Sequence, residues 1–275
     1  MGSADIIPGV SGGTVALITG IYERLIYAIK TVNFKFILYF FKGFIDSNYF
    51  SRAKENIQNI DVKFLLPLVV GITTAFLLLA RVIEPLLTYY PTYAYTFFFG
   101  LVLSSSWLVY KQIKKISIIM IVVTFFGFLV AFLIIGLDAI QTSHSTPVIF
   151  VSGIITVCAM ILPGISGAFI LWFLGQYEYM LHALNNLKIT IVLVYVIGAF
   201  LGILAFSHVL SYAIKRYRVL TLSFLIGLMV GALRKPVEIV IAQPDNIAIT
   251  ISSGLLGIFI VYMFSYYQLI LNKRT

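Results

Sequence analysis

Cysteine is almost missing from this sequence. Its single copy, Cys158, sits in an apolar run, which excludes an intrachain disulfide and a cysteine-based metal site. Histidine is nearly as scarce. His144, His182 and His208 are scattered, and no Ser/His/Asp set has workable spacing. The chain therefore reads as no enzyme, with no catalytic residues, no cofactor and no metal. Charge is the third shortage. Only 11% of the 275 residues are charged, 61% are hydrophobic, and the mean hydropathy is +1.04. No soluble domain of this size has that balance, so the chain is a polytopic membrane protein. Acidic residues are the rarest of the charges, 10 against 19 Lys and Arg, for a formal net charge of +9. In a membrane protein that excess reads as topology and contact with anionic lipids, not as nucleic-acid binding. A basic leader with an unbroken apolar run is also missing, because Pro8 and its glycines interrupt it, so no cleavable signal peptide is expected.

What is present is one short string, twice. The first copy runs Asp5–Ile6–Ile7–Pro8–Gly9–Val10–Ser11–Gly12–Gly13–Thr14 and on to Gly20–Ile21–Tyr22–Glu23. The second runs Met160–Ile161–Leu162–Pro163–Gly164–Ile165–Ser166–Gly167–Ala168–Phe169 and on to Gly175–Gln176–Tyr177–Glu178. Pro, Gly, Ser, Gly, the later Gly, Tyr and Glu match at a constant offset of 155. Such register marks an internal duplication. In each copy Pro-Gly stops an apolar helix, and small residues lead into a new one. The second helix then opens with free N–H groups and a positive dipole end, which suits an anion. Broken helices at matching places in two halves point to a transporter's binding site. The helix after each break is expected to be continuous, from Gly12 to Ile29 and on to His182. That is about 17 residues, or about 25 Å at 1.5 Å per residue.

Apolar runs of membrane-spanning length follow at about 64–83, 93–110, 116–137, 189–214, 219–233 and 247–271, with an entry arm at 147–162. The first copy has only seven residues before Pro8, so an equivalent entry arm is expected to be absent there. The later spans repeat as well. Gly71, Arg81, Gly100–Leu101 and Gly127 align with Gly198, His208, Gly227–Leu228 and Gly254 at an offset of 127. The 28-residue difference between the offsets matches a basic, aromatic segment at about 30–63, read as an amphipathic insertion at the headgroups. The expectation is an all-α polytopic membrane protein of two repeats, 1–138 and 139–275. Each is a broken, re-entrant PGxSG element plus three transmembrane helices. Counting crossings gathers most Lys and Arg on one side, which is cytoplasmic by the positive-inside rule. Three crossings separate the elements, so the repeats are inverted and their tips approach each other within the membrane.

ADIIPGVSGGT followed by GIYE, and ILPGISGAFIL followed by GQYE, resemble the bacterial membrane family filed as domain of unknown function 368. The resemblance covers essentially the whole chain. It implies a polyprenyl-phosphate translocase that returns undecaprenyl phosphate, the carrier lipid of wall synthesis, across the cytoplasmic membrane. One departure is Ala168–Phe169 in the second motif where the first has Gly13–Thr14, so the half-sites differ chemically.

The candidate substrate-binding residues are Pro8, Gly9, Ser11, Gly12, Gly13, Thr14, Arg81, Pro163, Gly164, Ser166 and Gly167. The glycines let backbone N–H groups close on a phosphate, and Ser11, Thr14 and Ser166 donate hydroxyl hydrogen bonds. Arg81 either neutralises the phosphate or pairs with Glu84 at the membrane edge. Glu23, Glu178 and His208 are candidates for gating or coupling, with interfacial anchoring as the other reading of the acids. Asp5 is placed to cap or orient the first loop. His144 and His182 read as loop and interface residues. The partners implied are a polyprenyl phosphate lipid and anionic membrane lipids. An anion channel or small-anion transporter is the alternative function, and the oligomeric state stays open.

Overall fold

The computed structural model describes residues 1–5, 11–32, 51, 58, 60–113, 117–140 and 142–272, with backbone alone for 3, 76, 77, 80, 81, 84 and 267–272. Pro8, Gly9 and most of the basic insertion lie outside these residues. All regular structure among them is α-helical. In chain order the principal helices are α1 (Gly2–Asp5), α2 (Gly12–Ile18), α3 (Tyr22–Thr31), α4 (Val62–Tyr89), α5 (Pro91–Tyr110) and α6 (Ile118–Ile135). They continue with α7 (Thr146–Ile161), α8 (Gly167–Phe173), α9 (Tyr177–Asn185), α10 (Ile189–Ala232), α11 (Arg234–Ala242) and α12 (Ile247–Asn272). Among the described residues, four stretches are long and apolar enough to cross a membrane: Pro91–Tyr110, Ile118–Ile135, Ile189–Ala242 and Ile247–Tyr266.

The duplicated string folds the same way twice, but not as expected. The helix after each motif is only 7 residues long in both copies. Gly20 (φ 71°) and Gly175 (φ 65°) end these helices in the left-handed region. In the first copy the Gly20 N–H bonds Leu17 O and the Ile21 N–H bonds Ala16 O, and in the second Gly175 bonds Trp172 O and Gln176 bonds Leu171 O. Both are Schellman caps, which favour glycine at the left-handed position. The continuous helices of about 25 Å are therefore each replaced by a short helix, a sharp turn and a second helix. A 7-residue helix spans about 10 Å at 1.5 Å per residue.

The expected spans at 189–214 and 219–233 are one helix, α10, whose two arms meet at a non-helical Tyr217 (φ −131°, ψ 42°). The span expected at 64–83 carries through Pro85 to Tyr89. The stretch after 233, expected as a loop, forms α11 instead. There Arg234 bonds Glu238 at 2.6 Å and Phe132 O at 2.9 Å, tying α11 to the end of α6.

Glycines set which helices touch. The first arm of α10 lies on α7, where a Cβ at Gly198 would fall 2.1 Å from Phe150 O. The second arm lies on α6, where a Cβ at Gly227 would fall 2.1 Å from Thr124 O. On the other side α5 meets α12, and a Cβ at Gly100 would fall 2.1 Å from Gly254 O. Such approaches are the small-residue contacts by which apolar helices pack in lipid. By the 127 offset, the second arm is the counterpart of α5, and α12 is the counterpart of α6. The helices around Gly100 and Gly227 thus each pack on a helix from the other part of the chain, α5 on α12 and the second arm of α10 on α6. The core where these meet includes Ala16, Ile26, Leu225, Leu228 and Met229, all nearly free of solvent.

Candidate functional site

The two motifs meet. Ser11 is the N-cap of α2, and its Oγ accepts the Gly13 N–H at 3.1 Å. The same hydroxyl donates across the interface, to Leu162 O at 3.0 Å and to Met160 O at 3.3 Å. One turn on, Thr14 Oγ1 accepts the Gly164 N–H at 3.0 Å. Gly13 lies so close to the second motif that a Cβ would sit 2.5 Å from Ile161 O. Gly164 (φ 90°) is wedged against α10, where a Cβ would meet Met229 Cα at 2.8 Å. Pro163, Thr14 and Met229 around this junction are fully buried.

The two helix starts are not equivalent. At α2 the backbone donors are already used. Gly12 N–H reaches the Asp5 carboxylate at 2.7 Å, Gly13 N–H the Ser11 hydroxyl, and Thr14 N–H the Ser11 carbonyl at 2.9 Å. Asp5 thus places a carboxylate at the positive end of α2. At α8 Ser166 is buried but makes no capping bond. The N–H groups of Gly167, Ala168 and Phe169 find no partner among the described residues. Phe169 stands where the first copy has Thr14, so the second copy has no hydroxyl to accept an N–H of the first motif as Thr14 accepts that of Gly164.

The remaining candidates sit elsewhere. Glu23, on α3, pairs with Arg218 at 2.8 Å just past the α10 kink, and Arg218 also reaches Gln112 at 3.5 Å. Both partners of that pair are about half exposed. The neighbouring Arg24 pairs with Asp61 at 2.8 Å and covers the Phe64 ring. Glu178 is exposed and has no ion-pair partner among the described residues. His208 is exposed on α10, with Nδ1 2.8 Å from Leu204 O of its own helix, and it is not brought to the motif junction. The Arg81 side chain, Pro8 and Gly9 lie outside the described residues.

Sequence reading missed one polar cluster. Gln176 is fully buried, although the first copy has Ile21 at that place. Its Nε2 donates to Thr142 Oγ1 at 2.6 Å and to Ser143 O at 3.2 Å, while Oε1 lies 3.0 Å from His144 Nδ1. The His144 ring stacks on Tyr179 with centroids 4.1 Å apart. These bonds clamp the loop before α7 onto the second Schellman turn. The signal was there: an amide replacing an apolar residue within an otherwise matched repeat.

Residues 1–252 match the model of a family described as undecaprenyl phosphate translocase-like. The chain is 40% identical over 238 residues to a polyprenyl-phosphate transporter of Vibrio cholerae, which covers 86% of this chain and 74% of that protein. It is 28% identical over 251 residues to a polyprenyl-phosphate transporter of Staphylococcus aureus, with 85% and 81% covered. No solved structure matches the chain.

Proposed function

Because this chain belongs to the undecaprenyl phosphate translocase-like family, we propose that it is a transporter of undecaprenyl (polyprenyl) phosphate, which carries the phosphate across the bacterial cytoplasmic membrane while the isoprenoid chain stays in lipid. The relatives' names favour this over a small-anion channel. The observation that carries the reading is the junction of the two PGxSG motifs. Three side-chain hydrogen bonds join them there, from Ser11 to Leu162 O and Met160 O and from Gly164 N–H to Thr14.

The junction is proposed as the headgroup site. An anion in a low-dielectric interior is costly unless it is fully paired. The unspent donors here are the Ser166 hydroxyl and the first N–H groups of α8. A phosphate oxygen that takes the Gly164 N–H from Thr14 frees the Thr14 hydroxyl to donate in turn. The headgroup would then part the two motifs by supplying the acceptors that now hold them together. In this reading the two repeats are inverted, and alternating access is the rocking of one against the other. Glu23–Arg218 would act as a latch on the cytoplasmic side, with Glu178 as its unlatched counterpart. Arg81 is kept as a second partner for the phosphate, and His208 is left outside the path. Anionic phospholipids would contact the basic cytoplasmic face.

The test is native mass spectrometry of the purified full chain with polyprenyl phosphate, polyprenol and chloride. The phosphate should bind selectively. Ser166→Ala should weaken that binding without lowering Tm, because the hydroxyl holds nothing among the described residues. Arg81→Ala should weaken it too. Equal binding of phosphate and polyprenol, or displacement by chloride, would reject the headgroup site.

A further inference from the structure

The kink in α10 opens a groove on the side of the molecule. Its walls come from both arms of the helix and from the second motif: Phe206 and Ala213 before the kink, Tyr217, Leu220 and Phe224 from the kink onward, and Leu162. Its volume is about 490 Å³ and its lining is almost wholly apolar. One end reaches the motif junction. Leu162 accepts the Ser11 hydrogen bond through its carbonyl. Leu225, also in the wall, lies one turn before Met229, which touches Gly164. The other end is at Tyr217, eight residues earlier, or about 12 Å along the helix.

A cation stands at that far end. The sequence there is Lys215–Arg216–Tyr217–Arg218. Arg218 is held by Glu23 at 2.8 Å, and Lys215 lies over the Tyr27 ring at 4.7 Å. Arg216 is exposed and has no partner among the described residues. It comes three residues after Ala213, which puts it on the groove's side of the first arm. An apolar trough with one uncommitted guanidinium at its mouth has the polarity of a single-chain lipid phosphate. Guanidinium is also the side chain best suited to hold a phosphate by paired hydrogen bonds.

We propose that this groove is a second lipid site, in which the phosphate of a polyprenyl phosphate rests on Arg216 and the first part of its chain lies in the groove towards Leu162. The inference rests on the transport reading and deepens it. The groove is the berth on the cytoplasmic side that the lipid occupies before or after its phosphate reaches the motifs.

The experiment uses the full chain in nanodiscs and a polyprenyl phosphate carrying a diazirine in an isoprene unit near the phosphate. Adducts are expected in the 206–225 segment, suppressed by unlabelled polyprenyl phosphate and not by phosphatidylglycerol. Arg216→Ala should lower affinity for the phosphate about tenfold, as loss of one charged hydrogen-bonding group does, and leave polyprenol binding unchanged. Arg216→Lys should recover only part of the affinity, because an ammonium keeps the charge but not the paired hydrogen bonds. Ala213→Trp should abolish the adducts, while Leu201→Trp, on an exposed part of α10 outside the groove, should not. Phosphate-selective binding that survives both Arg216→Ala and Ala213→Trp overturns the groove site and leaves the transport reading standing. Displacement of the probe by phosphatidylglycerol overturns it likewise. Failure of the unaltered chain to prefer phosphate over polyprenol overturns the transport reading, and this site with it.

Discussion

Replacing Thr14 with valine removes one oxygen and almost no volume. Thr14 is fully buried, and its Oγ1 accepts the Gly164 N–H at 3.0 Å across the junction of the two motifs. Valine fills the same space and leaves that N–H without a partner. A buried donor left unsatisfied costs about 1–3 kcal/mol. Serine is the informative companion. It keeps the acceptor and loses one methyl group, worth about 0.8 kcal/mol of apolar burial. If the hydrogen bond holds the motifs together, Thr14→Val is therefore the more harmful change, although it is the better steric match. At about 2–4 °C per kcal/mol for a chain of this size, a loss of about 2 kcal/mol for valine lowers Tm by about 4–8 °C, and the loss of about 0.8 kcal/mol for serine lowers it by about 2–3 °C. Intrinsic-fluorescence melting of the purified protein in detergent measures both. The reverse order, with valine matching the parent and serine less stable, would show that Thr14 serves packing and that the bond to Gly164 adds nothing.

Other substitutions test other parts of the same structure. Gly175→Ala forces a side chain into the left-handed region, at about 1–2 kcal/mol, and sets a Cβ 2.5 Å from Ile140 O, so Tm should fall more than for Thr14→Ser. Gly100→Ala and Gly227→Ala each drive a Cβ to 2.1 Å from a backbone oxygen of the facing helix, and each should cost about 1–3 kcal/mol by melting. Because the two glycines are counterparts by the 127 offset and face a backbone oxygen at the same distance, their costs should be alike, and a large inequality would argue against equivalent packing. The Glu23–Arg218 pair is half exposed, so a double-mutant cycle with Glu23→Gln and Arg218→Gln should give a stability coupling below about 1 kcal/mol. A larger coupling would mean that the pair is less solvated than its exposure indicates.

The duplication was legible in the sequence because Pro, Gly and Ser do local jobs that no other residues do as well. The motif positions, the all-helical class and most spans followed from it and from hydropathy. The length of the helix after each motif did not. Gly20 and Gly175 were read as matched identities, whereas their left-handed backbone ends each helix after two turns. The charged Lys215, Arg216 and Arg218 interrupt the apolar runs at Tyr217 and suggest a loop there, although charge does not by itself end a helix. At the candidate site, residue types showed that donors cluster. They did not show that Asp5 and Ser11 use up those of α2 while those of α8 stay unspent. That difference is local: Asp5 reaches the Gly12 N–H seven residues on and Ser11 the Gly13 N–H two residues on, while the second copy has Met160 where the first has Asp5. The offsets told which helices correspond, but not which helices touch, because those contacts join residues far apart in the chain.

That last point bears on how the protein is made. Once synthesised, α6 stands in the bilayer as the most apolar of the spans, yet the surface it packs on belongs to the second arm of α10. The Gly100 face of α5 likewise waits for α12, which is synthesised after α10. Each of these two faces is therefore covered only by a helix made much later in translation. A stop codon between the repeats would leave two bare helical faces in the membrane, recognisable to quality-control proteases. Co-expressed halves would find each other through those faces, as complementary fragments of a single fold.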